Sequence, residues 1–150
     1  MENMANVRFA ITNKGYYKMM EYLENYVIDK NIERKEVFDL FKNPDINYEN
    51  KFQKYIGWNG LEWYDGFQDV EALDNALKYL EKEGYSYKFS KIGAYSNELQ
   101  EYGCNGNKDV KENFILDSHI IKRKFNDYDY EMNLHYQDYH FGNNNERQER

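Results

Sequence analysis

The chain is poor in cysteine, proline and long apolar runs, and each shortage excludes a class of protein. Its 150 residues include one cysteine, Cys104, and one proline, Pro44. Small secreted domains held by disulfides normally carry an even set of cysteines, so we expect a reduced, cytoplasmic environment. No apolar run approaches the roughly 20 residues that cross a bilayer, and residues 1–6 lack the apolar core of a signal peptide. We therefore expect a soluble intracellular protein.

Basic residues are also in short supply. Twenty Lys and Arg face 27 Asp and Glu, for a formal net charge of -7. General nucleic-acid binders and proteins that dock on anionic membranes need an excess of positive charge, so the balance argues against direct binding of either. Aromatic residues, by contrast, are abundant, with 16 Tyr, 9 Phe and 2 Trp. This content separates the chain from acidic disordered sequences. We expect one domain over residues 1–142 and a polar, disordered tail at 143–150.

The spacing of apolar residues predicts an α+β fold. Alternation predicts strands at 7–12, 85–92 and 114–125. A three-to-four-residue spacing predicts helices at 16–29, 33–42 and 67–83. One further helical turn is expected at 97–103. The expected architecture is a mostly antiparallel sheet with a β-hairpin and two or three helices packed on one face.

Turn and cap residues refine that expectation. Asn59-Gly60 lies between the aromatic runs 51–58 and 61–64, which predicts a two-residue β-hairpin. Asn13 and Asp65 are expected to cap helix N-termini, and Gly84 to follow the C-terminus of the last helix. Trp58, Trp63 and Tyr64 are expected in the core rather than at an interface.

The negative charge is concentrated in two segments. Residues 62–84 carry seven acids against two lysines, and residues 126–150 carry six acids against two arginines. If the second segment begins as a strand, Asp127, Asp129 and Glu131 form one anionic row at about 6.6–7 Å spacing. That spacing is close to that of phosphates along a nucleic-acid strand, so the row would imitate one. The same residues also fit a solvated edge strand or a mobile tail, and the acidic helix fits an ordinary exposed face.

From these segments we select the residues expected to bind a partner. In the tail they are Asp127, Tyr128, Asp129, Tyr130, Glu131, Tyr136, Asp138 and Tyr139; on the helix they are Asp69, Glu71 and Asp74. Tyr supplies contact area at low entropic cost, and carboxylates select a basic partner.

No reaction centre is evident. His135, Asp138 and His140 are spaced i, i+3 and i+5, which places three ligands on one face of neither a helix nor a strand. Cys104 has no His beside it in sequence, and no phosphate-binding Gly-Lys-Ser/Thr motif is present. We expect no metal, no cofactor and no catalytic residue.

The segment from Trp58 to Gly103 resembles small acidic α+β proteins of bacteriophages and mobile elements. The likeness is carried by Trp58-Asn-Gly-Leu-Glu-Trp-Tyr-Asp, the helix after it, Tyr85-Ser-Tyr-Lys-Phe-Ser-Lys-Ile-Gly and the closing Glu101-Tyr-Gly. The group includes anti-CRISPR proteins and antirestriction DNA mimics. The resemblance implies stoichiometric, non-catalytic inhibition of a bacterial defence system inside the host cell, with a nucleic-acid-processing effector such as a Cas nuclease as partner.

Other functions stay open at this point. The chain could bind a nucleotide signal, with Tyr or Trp rings around the base and Arg8, Arg34 or Arg123 near a phosphate. It could also be a structural or regulatory interaction module, or an enzyme whose carboxylates converge only in the fold. Oligomeric state is not indicated.

Overall fold

A computed structural model describes residues 4–64, 66–93, 99–112 and 127–142, with only the backbone given for Asp129 and Gly142. The strands are β1 (Met4–Thr12), β2 (Ile46–Glu49), β3 (Gln53–Glu62), β4 (Tyr87–Gly93) and β5 (Leu99–Cys104). The helices in these residues are α1 (Asn13–Asp29), α2 (Lys35–Phe38), α3 (Gln68–Glu83) and α4 (Asp127–Gln137). A 3-10 turn at Asp39–Phe41 follows α2, and a π-helical turn at Asp138–Gly142 follows α4.

The five strands form one antiparallel sheet in the order β2-β3-β1-β4-β5. The α+β class and the mostly antiparallel sheet are therefore confirmed. β1 is the central strand, and its residues from Val7 to Thr12 are all buried. Because successive side chains point to opposite faces, Val7, Phe9 and Ile11 face one side of the sheet and Arg8, Ala10 and Thr12 the other.

The main core lies between one face of the sheet and three helices. α1 contributes Met19, Leu23, Tyr26 and Val27; α3 contributes Val70, Ala72, Leu73, Ala76, Leu77 and Leu80; α2 and the following turn contribute Val37 and Leu40. These stripes follow helical spacing, as the sequence predicts. Gly84 ends α3 with φ of 88°, as expected of a left-handed residue after a helix.

A smaller core on the opposite face holds α4 against the sheet. It consists of Ala10, Tyr55, Tyr130 and Leu134. The strand that sequence analysis considered for the start of the tail, beside a mobile tail, does not form, because α4 occupies these residues. Tyr130, Leu134 and Gln137 recur at i, i+4 and i+7 and are all buried, so helical spacing outweighs the short alternation of Asp and Tyr.

The hairpin expected at Asn59-Gly60 is also wrong, because β3 runs through both residues. The register between β3 and β1 shifts between Ala5 and Val7. Asn59-Gly60 therefore adds one extra residue to β3 and forms a β-bulge. Gly60 has a φ of 62°, whereas a type I′ turn needs positive φ at both central residues and Asn59 does not have it. The hairpin of this region joins β2 to β3 instead, where Asn50 Oδ1 accepts the amides of Phe52 and Gln53.

Other local expectations need correction or lie outside the described residues. The helical turn expected at 97–103 is replaced by β5, which packs so closely on β4 that a Cβ at Gly103 would lie 2.5 Å from Tyr87 O. Thr12, not Asn13, caps α1, since its side chain accepts the amide of Gly15 at 3.0 Å. The expected cap Asp65, the strand at 114–125 and the tail at 143–150 lie outside the described residues.

Both tryptophans are core residues, as expected. Trp58 and Trp63 are buried, and the indole Nε1 of Trp58 donates to Leu40 O at 2.8 Å. Tyr64 is partly exposed instead and lies against Phe67. None of the helices in the described ranges is long and apolar enough to cross a bilayer.

Candidate functional site

The inner side of α4 is fixed by a buried arginine in the middle of the sheet. Arg8 is the only charged residue of β1. Its Nε donates to Asp127 Oδ1 at 2.8 Å and its Nη2 to Oδ2 at 2.9 Å, a bidentate, charge-assisted pair. Remaining N–H groups donate to Val7 O and to Asn59 Oδ1. A Cβ at Gly57 would lie 2.4 Å from Arg8 Cδ, so the glycine makes room for this side chain.

Two stacked tyrosines extend this attachment. The rings of Tyr55 and Tyr130 are 4.1 Å apart and inclined by only 12°. Tyr55 Oη donates to Asp127 Oδ1 at 3.0 Å, and Tyr130 Oη donates to Gln53 Oε1 at 2.6 Å. Burial, with the negative charge of Asp127 second, raises the pKa of Tyr55, so its hydroxyl stays a proton donor.

The C-terminal end of α4 is held by side-chain amides. Asn50 Nδ2 donates to Leu134 O at 3.1 Å and to Gln137 Oε1 at 2.7 Å. Gln53 Nε2 donates to the same Gln137 oxygen at 3.2 Å. Together with the arginine and tyrosine contacts, these bonds hold α4 against the sheet at both ends and in the middle.

The outer side of α4 is aromatic and exposed. Tyr128, Met132, Tyr136 and Tyr139 are spaced by four, four and three residues, so they lie along one line of the helix and the turn after it. Their exposed fractions are 68%, 48%, 60% and 62%. We call these four residues the tyrosine face. Large exposed side chains aligned along one side of a helix favour an interaction site.

The segment that carries the tyrosine face is acidic in sequence. Residues 127–142 include four acids, Asp127, Asp129, Glu131 and Asp138, and no Lys or Arg. Asp127 is neutralised by Arg8. Glu131 and Asp138 are half-buried beside the inner side. His140, which sequence reasoning weighed as a metal ligand, lies with its ring 4.0 Å from that of Tyr136.

The structure separates the residues that sequence analysis grouped as partner-binding. Tyr128, Tyr136 and Tyr139 are brought together on the tyrosine face. Tyr130 is instead buried, and Asp127 forms an internal ion pair. The side chain of Asp129 lies outside the described residues. The anionic row expected of Asp127, Asp129 and Glu131 does not form, because consecutive helical residues turn by 100° rather than alternating.

The acidic helix lies on the other side of the sheet. α3 belongs to the main core, whereas α4 covers the opposite face, so the acids of these two helices do not form one surface. Glu71 is exposed, while Asp69 is half-buried and accepts the amide of Val70 at 2.8 Å. Burial raises the pKa of Asp69. Asp74 accepts a hydrogen bond from Tyr102 Oη at 3.2 Å.

The other candidate chemistries receive little support from the geometry. Cys104 Sγ donates to Tyr85 O at 3.0 Å, and burial raises the pKa of the thiol to about 11, which makes it a poor nucleophile. Within the described residues, no three His, Cys, Asp or Glu side chains converge as metal ligands would. Arg8 and Arg34, expected near a phosphate, instead pair with Asp127 and Glu24, and Arg123 lies outside the described ranges.

Sequence reasoning missed Arg8 as the anchor of α4, and it missed Met132 on the tyrosine face. A helical reading of residues 128–139 would have found Met132, because the four exposed residues follow a helical spacing. Comparisons with protein-family profiles, curated protein sequences and solved structures find no match.

Proposed function

We propose that this protein acts by binding another protein through the tyrosine face of α4. The observation that carries the proposal is the line of exposed side chains Tyr128, Met132, Tyr136 and Tyr139 on a helix whose inner side is firmly attached to the sheet. Tyr is among the residues that dominate the binding energy of protein interfaces.

The attachment of α4 favours binding because it presents these side chains in a fixed arrangement. A helix that had to order on binding would lose part of the interaction energy to conformational entropy. Here the Arg8–Asp127 pair and the Tyr55–Tyr130 stack hold the backbone in place before any partner arrives. Only the exposed side chains need to adopt a single conformation when the partner binds.

The spacing and charge of the surface indicate the chemistry of the partner. Anchors at i, i+4, i+8 and i+11 suit an apolar groove that accepts one side of a helix. The lack of basic residues over 127–142 suits a groove with a basic rim, which would accelerate association. A nucleic-acid-processing effector of a bacterial defence system has such basic surfaces, and it remains the proposed partner, inhibited by stoichiometric binding without catalysis.

The proposal is tested by affinity capture with matched variants. The wild-type protein and the variants Tyr136→Ala and Tyr17→Ala are immobilised and exposed to bacterial lysate at low salt. Tyr17 is a control because it is an equally exposed tyrosine on α1, far from the tyrosine face in sequence and on a different layer.

We expect one partner to be retained by the wild type and by Tyr17→Ala, and to be largely lost with Tyr136→Ala. Equal retention by all three proteins, or loss only with Tyr17→Ala, would contradict the proposal. Inhibition of the purified partner at a one-to-one ratio would extend it to the defence-system role.

A further inference from the structure

A cleft lies on the helix side of the sheet, between α3 and the edge strand β5, with a volume of about 350 Å³. The main core takes in side chains of β1, β3 and β4 but only Cys104 of β5. The edge strand β5 therefore extends past the helix layer, and the cleft lies in the angle between α3 and β5. Its volume falls at the small end of the about 300–1,000 Å³ typical of ligand sites.

An exposed aromatic ring is held in place at this cleft. The ring of Tyr102 stacks on Phe89, with centroids 4.9 Å apart, and its hydroxyl donates to Asp74 Oδ1 at 3.2 Å. Even so, Tyr102 is 40% exposed. Trp63, Leu77 and Phe89 form the buried apolar floor. The cleft thus offers a flat apolar surface whose orientation is set before a ligand binds.

The polar lining combines hydrogen-bond acceptors and donors in balance. Asp74 and Glu81 of α3 supply carboxylates, and Lys78 lies between them along the same helix. Lys91 and Gln100 face them from the sheet. Two carboxylates and two ammonium groups give a formal charge of zero, so the lining favours neither an anion nor a cation.

We propose that this cleft binds an uncharged ring bearing several hydroxyl groups, as found in a saccharide or in the ribose of a nucleoside. Each hydroxyl both donates and accepts, so an array of carboxylates, ammonium groups and an amide can satisfy several at once. Carboxylates bind ribose hydroxyls in this way in dinucleotide-binding folds. The C–H face of the ring lies on Tyr102. This site is separate from the tyrosine face and does not depend on it.

Titration followed by the backbone amide spectrum of the isotope-labelled protein tests the proposal. The probes are glucose, galactose and N-acetylglucosamine in one arm, adenosine and uridine in the other, and glucose 6-phosphate as a charged comparator. We expect saturable shifts of the amides of Lys91, Gln100 and Tyr102 in one arm, which identifies the source of the ring. The phosphorylated sugar is expected to bind more weakly than glucose.

Two variants and two controls link binding to the cleft. Tyr102→Ala removes the stacking surface and should weaken binding by about tenfold or more, since base or ring stacking on an aromatic side chain contributes on that scale. Gln100→Ala alters an exposed side chain without touching the core and should also weaken binding. Tyr17→Ala should bind as the wild type does, and so should Tyr136→Ala, which separates this site from the proposed protein-binding surface.

Two results would overturn the inference. One is the absence of saturable shifts with every neutral probe up to about 10 mM, ten times a millimolar Kd. The other is unchanged binding in both Tyr102→Ala and Gln100→Ala.

Discussion

Arg8 is a charged side chain in the centre of an otherwise uncharged strand, and its partner comes from a distant segment. The pair with Asp127 joins residues 119 positions apart. A buried ion pair is weak evidence of net stability, but removal of Asp127 leaves the Arg8 side chain, which is only 4% exposed, without its carboxylate partner. The pair therefore acts mainly to select where α4 docks.

Replacement of Asp127 by alanine should be strongly destabilising. We expect Asp127→Ala to lower the free energy of unfolding by about 3 kcal/mol, because Arg8 keeps its charge and loses both carboxylate contacts. Urea denaturation followed by circular dichroism gives the value. Glu131→Ala, four residues further on the same helix, is the control and should change stability by less than about 0.5 kcal/mol. Equal losses of stability in the two variants would show that the Arg8–Asp127 ion pair does not contribute to the stability of the fold.

Cys104 gives a prediction about pH. Its pKa of about 11 leaves roughly 0.1% thiolate at pH 8, against roughly a quarter for an ordinary cysteine. Alkylation by iodoacetamide at pH 8 should therefore be slower than in a model cysteine peptide by about 250-fold, and should accelerate about tenfold per pH unit up to about pH 11. The raised pKa also means that the thiol's contribution to stability is lost as pH rises through about 11. Alkylation at the model rate in the folded protein would refute this burial.

At the scale of elements, α4 is the least expected part of the fold. The stripes of α1 and α3 are long and regular enough to be read from sequence, and Gly84 marks the end of α3 as predicted. Asn59-Gly60 has strong local hairpin chemistry, but pairing of β3 with β1 along its whole length outweighs it and converts the pair into a bulge. Local signals fail where a long-range partner decides the outcome.

The two sides of α4 can be tested against each other. Leu134 is buried on the inner side and Met132 is exposed on the outer side, and both residue types are good helix formers. Leu134→Ala should cost about 2–5 kcal/mol and speed hydrogen exchange of the α4 amides, while exchange in α3 changes much less. Met132→Ala should leave exchange almost unchanged. Similar acceleration in both variants would mean that α4 is not held through its inner side.

The sheet lies between the acids of α3 and the acids of α4, although both groups contribute to the same net charge of the chain. The fold class could be predicted because it follows from alternation and helical spacing. The candidate site could be predicted only in part: Tyr128, Tyr136 and Tyr139 are among the residues that the sequence selects, and the structure places them on one exposed helical surface, whereas the alternation at 127–131 was considered as a strand pattern. The Arg8–Asp127 pair could not be predicted from the sequence: Arg8 stands out as the single charge of β1, but nothing local indicates which carboxylate, 119 residues away, pairs with it.

This separation predicts that charge on one side of the molecule does not affect binding on the other. We expect association with the captured partner to slow as salt rises, because the negative charge of the α4 segment attracts a basic groove. Glu131→Gln should reduce the association rate at low salt. Glu71→Gln, on the opposite side of the sheet, should leave it unchanged, as measured by surface plasmon resonance over a series of salt concentrations. A larger effect from Glu71→Gln would place the docking surface on α3.

The position of Arg8 also matters while the chain is being synthesised. Ribosomes add about 5–20 residues per second, so the 119 residues that separate Arg8 from Asp127 take about 6–24 s to translate. After β3 and β4 have been made and before Asp127 follows, the Arg8 guanidinium in the nascent sheet lacks its carboxylate partner, and α4 cannot yet cover that face. The second face of the sheet therefore closes late in translation, and any chaperone that recognises this face has several seconds in which to bind it.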